Sequence, residues 1–350
     1  MRVNISLGSN WPLGFPPTRC TVKPEATLSM IEVLIPIWQR VLQLSSVRVN
    51  EDFFDLGGDP SLALQLCTEI AQVCDREIPP ATIYQAPTIA ALAALLEQPV
   101  RPRFPALVLL KAGAKKPPVF LAHGLGGSVL DFFQLVRCIE SPHPIYGMQA
   151  RGWDGLDEPL DRVEDMAQFY LDAIRELQPY GPYLLVGYSL GGLVALEMAQ
   201  RLSANGEKVA LLAMLDGYPN MRYLSLGQQI RLATRQAKRR LRALGERRGG
   251  APNQVSAAFT PAMQRVRNSA ELALTRYRPR FYPGKIKFVR AEISSRFPDN
   301  AVAVWAHLAD KFEVETVPGD HLGMMATHFE SLAAVLSRYL EEAFADSRVS

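Results

Sequence analysis

The sequence predicts an α/β protein preceded by a small all-α bundle, and three observations carry that prediction. Strand-length apolar runs recur at Pro118–Ala122, Tyr183–Val186 and Val209–Leu215, and Phe312–Val317 is also strand-like, with Gly or Pro close behind each. The run at 183–186 passes through a glycine-flanked serine into helix-forming residues, a strand–turn–helix unit. Upstream, residues 28–44 instead place their apolar residues at helical spacing, and further helices follow from about Pro60 and near Ile89–Leu96. A length of 350 residues suits two parts, the larger of about 230 residues and able to bury a full core.

In chain order, residues 1–26 scatter Pro and Gly and read as an irregular tail. Leu28–Leu44 puts Ile31, Leu34, Ile35, Trp38, Val41 and Leu42 on one helical face, while Pro36 argues for a kink or a late start. A loop, Asp52-Phe53-Phe54-Asp55-Leu56-Gly57-Gly58-Asp59, leads to a second helix from Pro60 and a third near Ile89–Leu96. Residues 99–116, with Pro102, Pro105 and basic side chains, form a linker in which Leu107–Leu110 suits a short edge strand.

The larger part, 117–345, carries the chemistry. Gly187-Tyr188-Ser189-Leu190-Gly191 is the nucleophile-elbow pattern, in which glycines on either side avoid a clash and the next helix aims its N-terminus at developing negative charge. Partners are then expected in the order acid, histidine. Asp216 directly follows the strand-like Val209–Leu215; the bland alternative is a turn-forming Asp. Five histidines compete for the base. His143 lies in a Pro-flanked turn, His307 in a helical stretch, His328 on an amphipathic C-terminal helix, and His123 in another motif. His321 alone follows a strand and a turn, Pro318-Gly319-Asp320, and is assigned as base. The oxyanion loop is His123-Gly124-Leu125-Gly126-Gly127-Ser128. Its donors are assigned to the N–H groups of Leu190 and Leu125, with Gly124 competing for the second place and His123 bracing the loop.

The strings "PVFLAHGLGGSVLDF", "IYGMQARG", "GPYLLVGYSLGGLVALEMAQ", "LLAMLDGYP" and "VPGDHLGMM" resemble the thioesterase domain that ends nonribosomal peptide and polyketide synthases. The resemblance implies an α/β-hydrolase fold: a mostly parallel sheet, flanking helices and a helical lid at about 222–278. It also implies transfer of an acyl or peptidyl chain from a phosphopantetheine thioester onto serine, with release by hydrolysis or cyclisation. "EDFFDLGGDPSLALQL" and "EIPPATIYQAPTIAALAALL" are similar to the acyl or peptidyl carrier family over residues 27–98. That resemblance implies a four-helix bundle bearing 4′-phosphopantetheine, and a phosphopantetheinyl transferase as partner. This chain departs from the family where it matters, since Pro60 stands where the modified serine belongs and Ser61 follows one place later. The arm goes to Ser61, or the bundle is a degenerate carrier kept for docking. Carrier domains of a synthase are the partners the didomain implies.

Composition narrows the field. A net charge of +3 gives no footprint for nucleic acid. No segment is apolar for 18 residues, so no membrane span is expected, and the first residues, with one Arg and no proper apolar core, speak against a signal peptide. Cys20, Cys67, Cys74 and Cys138 show no metal-ligand spacing, and a reduced cytoplasmic protein without metal is expected. Arg231, Arg235, Lys238, Arg239, Arg240, Arg242, Arg247 and Arg248 cluster in the lid region, either as a solvated face or as a docking surface for an acidic carrier. A generic carboxylesterase would share the elbow but has no use for a carrier-like bundle. A non-catalytic scaffold would have no use for the serine, acid and histidine.

Overall fold

The computed structural model describes residues 29–74, 78, 80, 82–98, 105–234, 237, 260–293 and 300–345. The expected tail lies outside them, as do Arg235 and the basic residues from Lys238 to Arg248.

The amino-terminal unit is a bundle of α1 (Met30–Leu42), α2 (Pro60–Cys74), α3 (Thr82–Gln85) and α4 (Ile89–Leu96). A capping box starts α1: the Ser29 N–H donates to Glu32 Oε2 (2.9 Å) and the Glu32 N–H to Ser29 Oγ (3.3 Å). The helix then runs straight through Pro36, which faces solvent, so the late start expected there does not occur. Its buried residues are Leu34, Ile37, Trp38 and Val41. Ile31, Ile35 and Leu42, expected on that face, are only half-buried, because the buried arc is turned by about 50° towards Ile37. Both arcs are apolar, and contact with Ala63, Leu66, Cys67 and Ile70 of α2 and Leu92 and Leu96 of α4 decides between them.

The larger unit is a seven-stranded sheet of order β1-β3-β2-β4-β5-β6-β7. The strands are β1 (Leu107–Lys111), β2 (Val119–Ala122), β3 (Ile145–Met148), β4 (Tyr183–Tyr188), β5 (Val209–Leu215), β6 (Tyr282–Ile293) and β7 (Ala309–Asp320). Only β1 is antiparallel, on the edge beside β3; it begins the sheet inside the stretch expected to be linker. All other neighbours pair in parallel. Sequence alternation sorts the buried residues: Tyr183 and Leu185 of β4 face α6 (Val163–Leu177) and α7 (Leu190–Ala204). Leu184, Val186 and Tyr188 face α5 (Phe133–Cys138) and α12 (Phe329–Ala345). A strand covered on both faces reads as an unbroken apolar run, which is why β4 and β5 stood out in the sequence.

In the stretch expected as a lid, α8 (described over 226–234) precedes α9 (Pro261–Arg276), and α10 (Ala301–Trp305) and α11 (Gly323–Ala326) flank β7. The two units touch through Phe54, whose ring lies 4.7 Å from that of Phe133 on α5. Among the described residues no helix is long and apolar enough to cross a membrane.

The bundle core sets a stability test. Leu66→Ala should lower the unfolding free energy by about 2–5 kcal/mol, whereas Gln65→Ala on the exposed side of α2 should stay within about 0.5 kcal/mol of wild type. Urea unfolding followed by circular dichroism measures both, and equal effects would misplace the buried face.

Candidate active site

The site is built on the turn between β4 and α7. Ser189 has φ 56° and ψ −118°, a conformation that L-residues adopt only at a cost of about 1–3 kcal/mol. The surroundings enforce it: the Ser189 N–H donates to Leu215 O (2.9 Å) on the neighbouring strand. A Cβ at Gly187 would collide with the Gly191 carbonyl, and one at Gly191 with the Ala122 carbonyl. Both glycines of the pattern are therefore required by close backbone approach.

Asp216 follows β5 directly, also at positive φ, 49°. Its N–H donates to Val289 O (2.7 Å) and its Oδ1 accepts from the Ala291 N–H (3.3 Å), so β6 fixes both backbone and carboxylate. The expected turn at Pro318-Gly319-Asp320 is instead the end of β7, where one residue of β6, Glu292, opposes two of β7, Pro318 and Gly319, between the pairs Ala291–Val317 and Ile293–Asp320. This bulge, with Gly319 at φ 87°, re-aims the chain so that His321 leaves the sheet towards Ser189.

The structure brings the three residues together. His321 Nδ1 lies 2.8 Å from Asp216 Oδ2, and Nε2 lies 3.1 Å from Ser189 Oγ. The carboxylate accepts, so Nδ1 carries the proton and Nε2 is free to accept from the serine hydroxyl. Tyr188 stacks on the imidazole at 4.9 Å and its hydroxyl donates to the His321 carbonyl (2.6 Å). His328, expected on a helix, sits just before α12 with its ring against Gly319. His143 is bonded to the Pro117 carbonyl.

The loop after β2 lies beside the serine, the Gly124 Cα facing the Tyr188 ring and Ser189 Cβ. His123 is buried; its Nδ1 lies 2.7 Å from Gly124 O and its Nε2 2.7 Å from the Tyr170 hydroxyl on α6. The carbonyl must accept, so Nδ1–H donates and Nε2 accepts from Tyr170. Burial pushes the His123 pKa down to about 4, which keeps the ring neutral in this role. In a trans peptide the N–H points opposite to the C=O, so fixing Gly124 O directs the Leu125 N–H the other way. Leu190 is the first residue of α7, and its N–H has no acceptor within the helix. Tyr170, Tyr188, Gln149 and Trp153, which support this arrangement, were not singled out from the sequence. Gln149 lay in the string "IYGMQARG" and Tyr188 in the elbow string, without a role assigned to either.

Ser61 lies far along the chain from these residues. It is exposed at the second position of α2, on the side of Gln65 and Thr68 and away from the buried Ala63, Leu66, Cys67 and Ile70. Asp59 caps the helix, its Oδ1 accepting from the Leu62 N–H (2.8 Å). An outward hydroxyl at a capped helix start fits attachment of a phosphopantetheine arm. Of the basic cluster only Arg231, exposed on α8, is described. A cavity of about 660 Å³ opens between the β1–β3 edge and α6, and Ser189, Asp216 and His321 do not line it. Among the described residues no group of three or more His, Cys, Asp or Glu side chains could hold a metal ion.

Residues 117–340 match the family model of the thioesterase domain, and residues 32–96 that of the phosphopantetheine attachment site. The chain is 41% identical over 190 residues to a dimodular nonribosomal peptide synthase of Bacillus subtilis (strain 168). That match covers 54% of this chain and only 8% of the relative's length. Among solved structures, the four-domain nonribosomal peptide synthetase holo-AB3403, bound to AMP and glycine, is 23% identical with a TM-score of 0.57, over 89% of this chain and 26% of that one. The Vlm2 thioesterase domain bound with a dodecadepsipeptide is 22% identical with a TM-score of 0.50, over 67% and 99%. Both likenesses concern the fold.

His123 predicts a pH dependence. Its folded pKa, about 4, lies below the ordinary value of 6.5, so the unfolded chain binds the extra proton first. The associated stability is complete above pH 6.5 and is lost as pH falls towards 4, roughly 3 kcal/mol in all. Urea unfolding at pH 7, 5.5 and 4.5 should show wild type losing more than His123→Asn by an amount of that order. Parallel profiles would exclude the assignment.

Proposed function

Because the chain belongs to the thioesterase-domain family, we propose that it is a serine-dependent release enzyme of nonribosomal peptide or polyketide biosynthesis. It takes an acyl or peptidyl chain from a carrier-bound thioester onto Ser189 and releases it by hydrolysis or cyclisation. The observation that carries this reading is the continuous hydrogen-bonded line from Asp216 through His321 to Ser189 Oγ.

In this reading His321 Nε2 takes the Ser189 proton as Oγ attacks the thioester carbonyl carbon. The C–S bond breaks and His321 returns the proton to the leaving sulfur. A water, or a nucleophile within the chain, is then deprotonated by His321 and attacks the acyl carbon; the bond to Ser189 Oγ breaks and His321 returns the proton to Oγ. Asp216 holds the Nδ1–H tautomer and stabilises the imidazolium. The N–H groups of Leu190 and Leu125 receive the oxyanion. The competing Gly124 N–H is less suited, because the His123 carbonyl of the same peptide faces Gly191 and turns that N–H away from the elbow.

The domain division belongs to the same proposal: a bundle at 27–98, a linker from 99, and the hydrolase unit to 345, with a helical lid at about 222–278. So do its partners, which are carrier domains of a synthase and a transferase that modifies Ser61, and a cytoplasmic setting. A phosphopantetheine arm on Ser61 supplies a thiol that holds an acyl chain as a thioester. The bundle's part is to present that serine on its outward face.

Two outcomes are expected. Acyl-pantetheine thioesters should be turned over in preference to p-nitrophenyl esters, and Ser189→Ala or His321→Ala should lower kcat by several orders of magnitude while His328→Ala does not. Loss on His328→Ala instead would reassign the base, and ester preference would favour a carboxylesterase. Treatment with coenzyme A and a promiscuous transferase should add the mass of one phosphopantetheine group, and Ser61→Ala should abolish the gain. No gain in wild type would recast the bundle as a docking module.

A further inference from the structure

We propose that Gln149 is a positioning residue for this reaction: its side-chain amide holds the His123–Ser128 loop in the shape that aims the Leu125 N–H at the acyl carbonyl. The inference rests on the thioesterase reading above and deepens it.

Gln149 directly follows β3 and is 1% exposed. Its own backbone is fixed, the N–H donating to Ala106 O (2.9 Å). The side chain then spans Ser128: Nε2 donates to Gly127 O (2.7 Å), and Oε1 accepts from the Val129 N–H (3.4 Å). The Ala150 N–H shares the same Gly127 carbonyl (3.1 Å), and Trp153 Nε1 donates to Gly126 O (3.0 Å). One short loop after β3 thus holds successive carbonyls of the loop after β2.

The consequence runs along peptide planes. Gln149 fixes the peptide after the Gly127 Cα and Trp153 the peptide before it, whose Gly127 N–H donates to Gly124 O (3.2 Å), the same oxygen that His123 Nδ1 reaches. That oxygen sets the direction of the Leu125 N–H. The loop has no side chain of its own for this task at Gly127. The residue sits at φ 75°, and a Cβ there would collide with Val266, Ala150 and Trp153. Support has to come from outside, and it needs a donor and an acceptor on one rigid group. A primary amide has both.

The test is a pair of variants whose kcat and KM are measured from pH 5 to pH 8.5 on an acyl-pantetheine thioester, beside wild type and Ser189→Ala. In Gln149→Glu the carboxylate repels Gly127 O, while the protonated acid donates to it again. At pH 8 kcat should fall about tenfold to a hundredfold with KM within about twofold. The variant-to-wild-type ratio of kcat should climb back as pH falls, because effects of pH common to both proteins cancel in it. Charged groups that line the cavity with this position are Arg151, Asp154 and Asp157 on its own loop and Asp172 and Glu176 on α6, and Asp131 lies against Gly126 of the clamped loop. These carboxylates, with burial, push the introduced acid's pKa up, against Arg151. Gln149→Leu should lose kcat to a similar degree with a ratio that does not change with pH. A pH-independent ratio for Gln149→Glu overturns the clamp, as does a Gln149→Leu effect confined to KM. If Gln149→Glu does not fold at pH 8, the split in Gln149→Leu, checked by circular dichroism, decides alone. Wild type without Ser189-dependent turnover would overturn the underlying reading, and the clamp with it.

Discussion

The left-handed backbone at Ser189 is the constraint on which the surrounding structure depends. A turn at φ 56° is unfavourable by about 1–3 kcal/mol and persists because the elements around it leave no alternative. The serine N–H is tied to β5, α7 begins at the next residue, and α7 presses so closely on β2 that only glycine fits at 191. Asp216, the other left-handed residue of the site, is held in the same way, by β6. Both strained positions lie at carboxyl ends of parallel strands, where the chain must leave the sheet within one residue. Rigidity there comes from the buried strands β4 and β5, covered by helices on both faces.

Charge in the site is arranged so that one histidine is placed to take the serine proton and another is not. His321 is partly open, pairs with a carboxylate and reaches the serine. His123 is enclosed, bonded to a carbonyl and a phenol, and kept neutral by burial. Their roles differ by environment alone. A neutral His123 can donate from Nδ1 and accept at Nε2 at the same time, which a charged ring cannot. The desolvation that removes it from proton transfer is therefore what fits it for holding a peptide plane.

The legibility of these features in the sequence follows from their range. The elbow was readable because its steric requirement is written as residue identity within five positions. Asp216 and His321 were readable because each follows a recognisable strand. The bulge at Gly319 was not: Pro-Gly signals a turn, a bulge uses the same residue types, and the difference lies in pairing with β6, some 25 residues away. The contacts of His123 with Tyr170 and of Gln149 with Gly127 span 47 and 22 positions, and periodicity does not reach that far. On α1, Ile37 was missed because both candidate arcs are apolar, and only the neighbouring helices choose between them.

The bundle shows how a departure from a family pattern can leave a fold intact and still alter its use. Pro at the first position of α2 is compatible with helix geometry, since that residue has no intrahelical acceptor for an N–H. Asp59 still caps the helix, and the buried stripe Ala63, Leu66, Cys67, Ile70 keeps its register. Moving the hydroxyl from position 60 to 61 turns it by about 100° around the axis of α2, to the side opposite that stripe. The preceding loop cannot slide to compensate, because Phe53 is fully buried, its N–H donates to Pro87 O, and Phe54 rests on Phe133. The serine therefore stays accessible but leaves the bundle in a new direction. A protein that loads or unloads an arm there has to recognise a rotated start of α2.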